Sequence, residues 1–187
     1  AYDKESTAVA LENMGYEVVA QRNFERTATA EDHDFVAWTL GKKSVMEKGE
    51  EKNQYILAIR GTDENGEWYG NFDVGYGKEH YGFKTAGEEL MLELGMYITT
   101  PADSNRILVT GHSRGAAVTN LVAQWMTDDE HYATKNHIYG YTFATPATTM
   151  EPINNGNIFN FVNGGDIVTN MPLSAWGYGR NGQTITL

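Results

Sequence analysis

The stretch of residues 110–115, Thr-Gly-His-Ser-Arg-Gly, has the residue types and spacing best suited to covalent chemistry in this sequence. It is a G-x-S-x-G motif with a predicted strand before it and an amphipathic helix after it, which is the setting that the motif requires. A serine on such a sharp strand-to-helix turn has a strained backbone and points its hydroxyl out of the sheet. We therefore predict that Ser113 is a nucleophile, with a purely structural turn as the alternative.

The small residues around Ser113 fit the crowding that such a turn imposes. Side chains in place of Gly111 and Gly115 would clash with the turn, and Ala116 and Ala117 let the helix pack close to the strand. The N-terminus of the helix also places backbone N–H groups beside Ser113, where a negatively charged oxygen would develop during attack on a carbonyl. The pattern therefore predicts an acyl-transfer site.

The elements that must position Ser113 alternate between strands and helices. The hydrophobic pattern predicts strands at residues 35–40, 54–60, 106–110, 139–144 and 158–163, and helices at residues 4–14, 86–98 and 118–126. From residue 54 onward, the alternation favours an α/β fold with a mainly parallel or mixed sheet and helices on its faces. The charged run at residues 42–52, between the first two strands, is predicted to be a solvated hairpin loop.

Composition excludes several kinds of protein. The chain has 187 residues, a length typical of one domain, and its hydrophobic content of 41% indicates a globular fold. Because it has no cysteine, it has no disulfide framework, no cysteine nucleophile and no metal site built on thiolates. Its formal net charge of −11 argues against nucleic acid and anionic lipid as partners.

No segment predicts a transmembrane helix. The longest apolar runs, such as residues 56–59, are far shorter than the roughly 20 residues that a membrane-spanning helix needs. The N-terminus does not resemble a signal peptide, and it is compatible with a mature end left after cleavage. The sequence therefore predicts a soluble protein of unknown location, with secretion as an open option.

Four sequence segments, taken together and in order, are more specific evidence of a family resemblance than any one of them alone. They are residues 55–62 (Tyr-Ile-Leu-Ala-Ile-Arg-Gly-Thr), 80–83 (His-Tyr-Gly-Phe), 111–115 (Gly-His-Ser-Arg-Gly) and 163–172 (Asn-Gly-Gly-Asp-Ile-Val-Thr-Asn-Met-Pro). Together they resemble the class 3 lipase family of α/β-hydrolases, which includes the fungal triacylglycerol lipases, from about residue 35 to the end of the chain. The resemblance implies one α/β-hydrolase domain over residues 1–187, with a central mostly parallel or mixed sheet and helices on both faces.

The resemblance also implies a serine carboxylic-ester hydrolase, a lipase or esterase that forms an acyl-enzyme and needs no metal or cofactor. Ser113 would be the nucleophile and Asp166 the acid of the triad, and the backbone amides of Thr62 and Arg114 would form the oxyanion hole. Asp166 also follows a predicted strand and a Gly-Gly turn, and it comes after the serine, as the chain order of this fold requires. An aspartate that only caps its turn is the alternative.

The histidine that such a triad needs has no obvious position in this sequence. In this fold the base follows the acid, and none of the five histidines comes after Asp166. We expect structural or surface roles for His33, His80, His112, His131 and His137, with His112 packed behind the serine. Arg180 stands where the family often has a histidine that is not the base. The family's base lies some tens of residues past the acid, so we expect that a C-terminal segment is missing or that a separate polypeptide supplies the histidine.

Residues 63–72 follow the predicted oxyanion residue at the position where the family has a lid. Trp68, Tyr69 and Phe72 would form its apolar underside, and a surface loop pinned by these aromatics is the alternative. Because the segment is short and interrupted by glycine, it favours an esterase that acts on soluble esters over a lipase with a large lid helix.

The expected substrate is a neutral small-molecule or lipid ester, because the acidic chain repels anionic interfaces. Two other functions stay open. One is a hydrolase-fold protein that binds a ligand or partner without catalysis, and a fluorophosphonate probe would identify it because an unactivated serine does not react. The other is an acyltransferase or phospholipase that uses the same nucleophile.

Overall fold

A seven-stranded mixed sheet forms the centre of the protein, and its strands lie side by side in the order in which they occur in the sequence. The structure is a computed structural model that describes residues 3–27, 35–61, 77–171 and 176–187. The strands are β1 (Glu17–Arg22), β2 (Trp38–Glu47), β3 (Glu50–Ile59), β4 (Asn105–His112), β5 (Ile138–Phe143), β6 (Ile158–Val162) and β7 (Gln183–Thr186). The α-helices are α1 (Lys4–Asn13), α2 (Tyr81–Leu94) and α3 (Arg114–Asp129).

The strand directions explain where the helices lie. Strands β1, β2 and β3 are antiparallel neighbours, whereas β3 to β7 run parallel to one another. Right-handed crossovers that always move in the same direction along a sheet place their helices on the same face. Helices α2 and α3 accordingly pack together on one face, while α1 packs against β1 and β2 through a small cluster on the other. The predicted α/β fold, with helices on both faces, is confirmed.

Of the described helices, α3 places the most buried side chains in the hydrophobic core. The side chains of Val118, Leu121, Val122 and Met126 are fully buried against the sheet, as their spacing predicts. Helix α2 starts earlier and ends earlier than predicted, so that Ile98 is buried just beyond its C-terminus. No helix in the described parts of the chain has the length and apolar content needed to cross a membrane.

The predicted loop at residues 42–52 was wrong, because β2 and β3 continue through it as a long hairpin. Their pairing runs without interruption from Trp38 opposite Ile59 to Glu47 opposite Glu50. Lys48 and Gly49 form the turn with φ values of 52° and 85°, and two positive φ values match the right-handed twist of a hairpin. Charged side chains are compatible with strands where the hairpin extends beyond the core into solvent.

Two short strands at the edges of the sheet were not predicted. Strand β1 has a mixed exposure pattern, and every residue of β7 is exposed. Neither segment shows the apolar alternation that marks a half-buried strand. Each is held at an edge of the sheet by backbone hydrogen bonds to one neighbour, and this pairing does not require apolar side chains.

Within the described parts of the chain, no helix covers the sheet surface opposite α2 and α3 along β5, β6 and β7. Alternate residues of these strands point there, and they form what we call the open face: Tyr139, Tyr141, Phe143, Phe159, Phe161 and Ile185. The rings of Tyr141 and Phe159 stack at 5.2 Å between centroids, and those of Phe143 and Phe161 stack at 5.4 Å. None of these six side chains is charged, although the chain as a whole carries a net charge of −11.

A buried polar network joins α3 to the sheet and to the C-terminal segment. The Asn120 amide nitrogen donates to the Asn160 side-chain oxygen and to the Asn181 carbonyl oxygen, both at 2.9 Å. The Asn120 side-chain oxygen accepts from the Thr148 hydroxyl at 2.7 Å and from the Asn181 amide at 3.1 Å. Asn120 is fully buried and its amide uses its whole hydrogen-bonding capacity, so its removal takes one hydrogen bond from each of four buried groups.

We expect Asn120→Ala to lower the free energy of unfolding by about 3 kcal/mol, because the buried partners of the amide lose their hydrogen bonds. Urea unfolding followed by circular dichroism measures this change. The matched control is Asn136→Ala at an exposed position, for which we expect a change of about 0.5 kcal/mol or less. Equal effects of the two substitutions would contradict the structural role of the network.

Candidate active site

Ser113 occupies the turn between β4, which ends at His112, and α3, which begins at Arg114. Its backbone has φ 55° and ψ −126°, outside the regions that residues with a side chain normally adopt. Its amide donates to the Phe143 carbonyl oxygen at 2.9 Å, and its carbonyl oxygen accepts from the Ala116 amide at 2.9 Å. These bonds hold the strained turn that the motif predicts, with the serine side chain partly exposed.

The two glycines of the motif allow backbone atoms to approach more closely than any side chain permits. A Cβ atom at Gly111 would lie 2.4 Å from the Gly115 carbonyl oxygen. A Cβ atom at Gly115 would lie 2.5 Å from the carbonyl oxygens of Ile59 and Arg60. The predicted role of both glycines is confirmed, and the contact brings the end of β3 against the first turn of α3.

The first turn of α3 supplies the electrostatics that an acyl-transfer site needs. The N–H groups of a helix's first turn point toward its N-terminus and carry the positive end of its dipole. Arg114 is the first helical residue and its side chain is buried, so that its backbone is fixed beside Ser113. A negatively charged oxygen next to Ser113 would be stabilised at this position.

Asp166 lies in the turn after β6, four residues beyond the strand's last residue. Its amide donates to the Asn163 carbonyl oxygen at 3.0 Å, which closes the turn. One carboxylate oxygen accepts from the Val168 amide at 2.9 Å, at the start of a short 3-10 helix, Val168–Asn170. The aspartate thus caps its turn, as the alternative interpretation held, and the same bond fixes the orientation of a partly buried carboxylate.

Ser113 and Asp166 follow strands that end at the same edge of the sheet. Strands β4 and β6 are both parallel neighbours of β5, with His112 opposite Phe143 and Phe143 opposite Phe161. Ligand sites in such sheets lie beyond the carboxyl ends of the strands. Two strand spacings separate β4 from β6, or about 10 Å. An imidazole that forms a hydrogen bond of about 3 Å at each ring nitrogen could connect Ser113 and Asp166 across this distance.

Two of the described histidines lie at the opposite edge of the sheet. His131 follows the C-terminal end of α3, and its ring meets the Tyr132 ring edge-on at 4.9 Å between centroids. His137 immediately precedes β5, with its Nδ1 atom 2.8 Å from the Thr134 hydroxyl. Burial, followed by the charge of Arg106, lowers the pKa of the His137 imidazole. Neither residue is placed to serve Ser113.

The other two described histidines differ from each other in exposure. His80 is fully buried at the start of α2, where its ring stacks on Phe83 at 4.0 Å between centroids. His112 is exposed, and it lies in the same row of the sheet as Phe143. The expectation that His112 packs behind the serine was wrong, because the even positions of β4 face the side of the sheet without α2 and α3.

Several predicted residues lie outside the described parts of the chain. They are the oxyanion residue Thr62, the lid residues Trp68, Tyr69 and Phe72, and His33. Their roles stay predictions. Among the residues that the structure does describe, no group of three or more histidine or acidic side chains is arranged to hold a metal ion.

Residue types and spacing did not predict the contacts that hold the turn of Asp166 to its surroundings. The Arg180 guanidinium donates to backbone carbonyl oxygens of Thr145 and Thr169, in two different loops. Both acceptors are backbone carbonyl oxygens, which every residue has, so neither residue type nor spacing indicates these contacts. The one signal was the resemblance described from the sequence, which implies that Arg180 takes the place of a histidine.

Comparison with known protein families and structures gives a consistent result. The family model for "Lipase (class 3)" matches residues 56–176, and a comparison with curated protein sequences finds no match. The native propeptide complex of Rhizomucor miehei lipase is 21% identical, with a TM-score of 0.64 over 92% of this chain and 57% of that chain. A lipase from Rhizopus microsporus var. chinensis is 16% identical, with a TM-score of 0.61 over 100% of this chain and 66% of that chain.

A third similar structure is a triacylglycerol lipase whose catalytic centre is described as a serine protease triad. It is 19% identical, with a TM-score of 0.60 over 91% of this chain and 66% of that chain. The chain thus spans between 57% and 66% of the length of these three relatives. The structural likeness establishes the α/β-hydrolase fold, and the family match extends over well more than half of the sequence. This chain belongs to the class 3 lipase family.

Proposed function

We propose that this protein is a serine hydrolase of carboxylic esters, with Ser113 as its nucleophile. The observation that carries the proposal is the backbone of Ser113, at φ 55° and ψ −126° between a parallel strand and a helix N-terminus. Such strain, of order 1–3 kcal/mol, persists only where the surroundings impose it, and it is concentrated at functional sites. The close packing of Gly111 and Gly115 imposes it here.

In the proposed reaction, the Ser113 hydroxyl attacks the ester carbonyl carbon and loses its proton to a base. The negative charge that develops on the carbonyl oxygen is stabilised by the amide of Arg114 and, on the prediction from sequence, by that of Thr62. The alcohol leaves with the proton, and the acyl group stays on Ser113. Water then releases the acid and regenerates the hydroxyl. Asp166 orients the base and stabilises its positive charge.

The substrate that we propose is an uncharged acyl ester, either a lipid or a smaller soluble ester. A net charge of −11 disfavours approach to anionic interfaces, whereas it does not oppose a neutral ester. Similar structures include a triacylglycerol lipase, and that relationship supports an ester of this general class.

We further propose that the base is a histidine on a polypeptide segment other than these 187 residues. A serine protease triad, as described for one similar lipase, contains a histidine between its serine and its acid. His131 and His137 lie at the wrong edge of the sheet, and His80 is buried against Phe83. His112 lies on the face of the sheet without α2 and α3, so none of the four described histidines is an evident base between Ser113 and Asp166.

The open face supports this part of the proposal. Parallel sheets occur almost only with both faces covered, because their strands bury apolar side chains on each side. Here Tyr139, Phe143 and Ile185 are 43%, 45% and 38% exposed. Phe143 lies in the strand row that ends beside Ser113, so a segment packed there would reach the edge that carries the site.

We expect Ser113→Ala to reduce hydrolysis of p-nitrophenyl esters to the background rate, because no other group forms the acyl-enzyme. The substitution keeps the small side chain, so the thermal melting temperature stays nearly unchanged. Initial rates and a melting curve on the same preparation measure both effects. Turnover that persists in a folded Ser113→Ala protein would reject the assignment of the nucleophile.

We expect added imidazole to increase the rate of ester hydrolysis by the 187-residue protein, because a free imidazole can accept the Ser113 proton. General base catalysis contributes about 10²–10⁴-fold, and a diffusing base recovers part of that factor. Imidazole also hydrolyses activated esters by itself, so the measured quantity is the rate of the protein minus that of Ser113→Ala at each imidazole concentration. A high rate that does not respond to imidazole would show that a base is already in place.

A further inference from the structure

Arg180 extends from a part of the backbone that is firmly fixed. The residue before it, Gly179, forms a two-way pairing with the chain after β5: its carbonyl oxygen accepts from the Thr148 amide and its amide donates to the Thr149 carbonyl oxygen, each at 2.7 Å. The residue after it, Asn181, is held by Asn120 within the buried network. The position of the Arg180 side chain is therefore set by the core of the protein.

The Arg180 guanidinium connects two loops at the carboxyl edge of the sheet. Its Nε atom donates to the Thr145 carbonyl oxygen at 2.7 Å, just after β5. A terminal nitrogen donates to the Thr169 carbonyl oxygen, in the 3-10 helix that follows Asp166. Burial lowers the pKa of the Arg180 guanidinium, but an arginine remains protonated in proteins. Hydrogen bonds from a charged donor are about twice as strong as neutral ones.

The turn that carries Asp166 is otherwise stabilised mainly by bonds within itself. The Thr169 hydroxyl donates to the Asp166 carbonyl oxygen at 2.8 Å, and the Val168 amide donates to the Asp166 carboxylate. Among the described residues, two hydrogen bonds connect this short segment to other parts of the chain: Arg180 before β7 donates to the Thr169 carbonyl oxygen, and the Ala147 amide after β5 donates to the Met171 carbonyl oxygen at 2.9 Å. Asn163, Gly164 and Gly165 at its start are exposed, so packing contributes little there.

We propose that Arg180 is a positioning residue that holds the Asp166 carboxylate at the edge shared with Ser113. It acts through the backbone: the guanidinium fixes the Thr169 carbonyl, the Thr169 hydroxyl fixes the Asp166 backbone, and the turn then orients the carboxylate. The catalytic consequence rests on the proposed ester hydrolysis, whereas the effect on the turn does not. The guanidinium also donates to the Thr145 carbonyl oxygen, which lies in the loop after β5. Strand β5 lies between the strands that precede Ser113 and Asp166.

Hydrogen exchange tests the effect on the turn without any need for catalysis. In Arg180→Met, we expect the Val168 amide to exchange at least about tenfold faster, because its bond to the Asp166 carboxylate opens when the turn is released. The Val122 amide, in the buried part of α3, serves as the internal reference and should not change. Arg180→Lys keeps the charge and one hydrogen bond, so we expect an intermediate effect. Unchanged exchange at Val168, or an equal increase at Val122, would overturn the proposal.

Kinetics of the same variants test the effect on catalysis. We expect Arg180→Met to lower kcat for a p-nitrophenyl ester by about tenfold or more with little change in KM, measured with and without imidazole, and Arg180→Lys to recover part of the loss. The matched control is Arg106→Met, which removes an arginine paired with Glu47 at the opposite edge and should leave kcat unchanged. Equal kcat values for Arg180→Met and the parent would overturn the proposed catalytic effect. Absence of any Ser113-dependent turnover would reject the proposed function, and the exchange experiment would still decide the structural role.

Discussion

The structure of this protein depends on one close contact, between the backbone at Gly115 and the carbonyl groups at the end of β3. At this contact a single methyl group would lie 2.5 Å from the carbonyl oxygens of Ile59 and Arg60. The absence of side chains lets α3 start directly above the sheet, and the chain must then reverse within the few residues between β4 and α3. The unusual φ of Ser113 is the consequence of that reversal. The same contact aims the positive end of the α3 dipole at the serine and brings the end of β3 beside it.

The order of the strands has a second consequence for the site. Because β3 to β7 follow one another across the sheet, the crossover helices collect on one face, and α1 covers only the antiparallel end of the other. No helix that the structure describes covers the uncharged residues of the open face. Phe143 belongs to this face, and its carbonyl oxygen also accepts a hydrogen bond from the Ser113 amide. The open face and the turn of Ser113 are therefore parts of one region of the molecule.

Sequence patterns predicted the parts of this fold that depend on local rules. Glycine spacing predicted the Ser113 turn, and the 3.6-residue period predicted the buried stripe of α3, because both constraints act on neighbouring residues. The same reasoning failed for the hairpin of β2 and β3, where charged side chains occupy a paired strand that extends into solvent. It also missed β7, all of whose residues are exposed. The contacts of Asn120 and Arg180 join residues more than ten positions apart through amide and carbonyl groups, and composition carries no record of such pairings.

The two halves of the site are held in place by different kinds of interaction. Ser113, the proposed nucleophile, is fixed by packing, since Gly115, Ala116 and Ala117 are buried against the sheet and cannot move without opening the core. Asp166, the proposed acid, is fixed by polar contacts in a turn near the surface, where the partly buried guanidinium of Arg180 holds the Thr169 carbonyl oxygen. Polar contacts near a surface open at a lower free energy than a packed core does. The Asp166 turn is therefore expected to open more easily than the Ser113 turn. A group that bonds to both residues would stabilise the Asp166 turn more than the Ser113 turn.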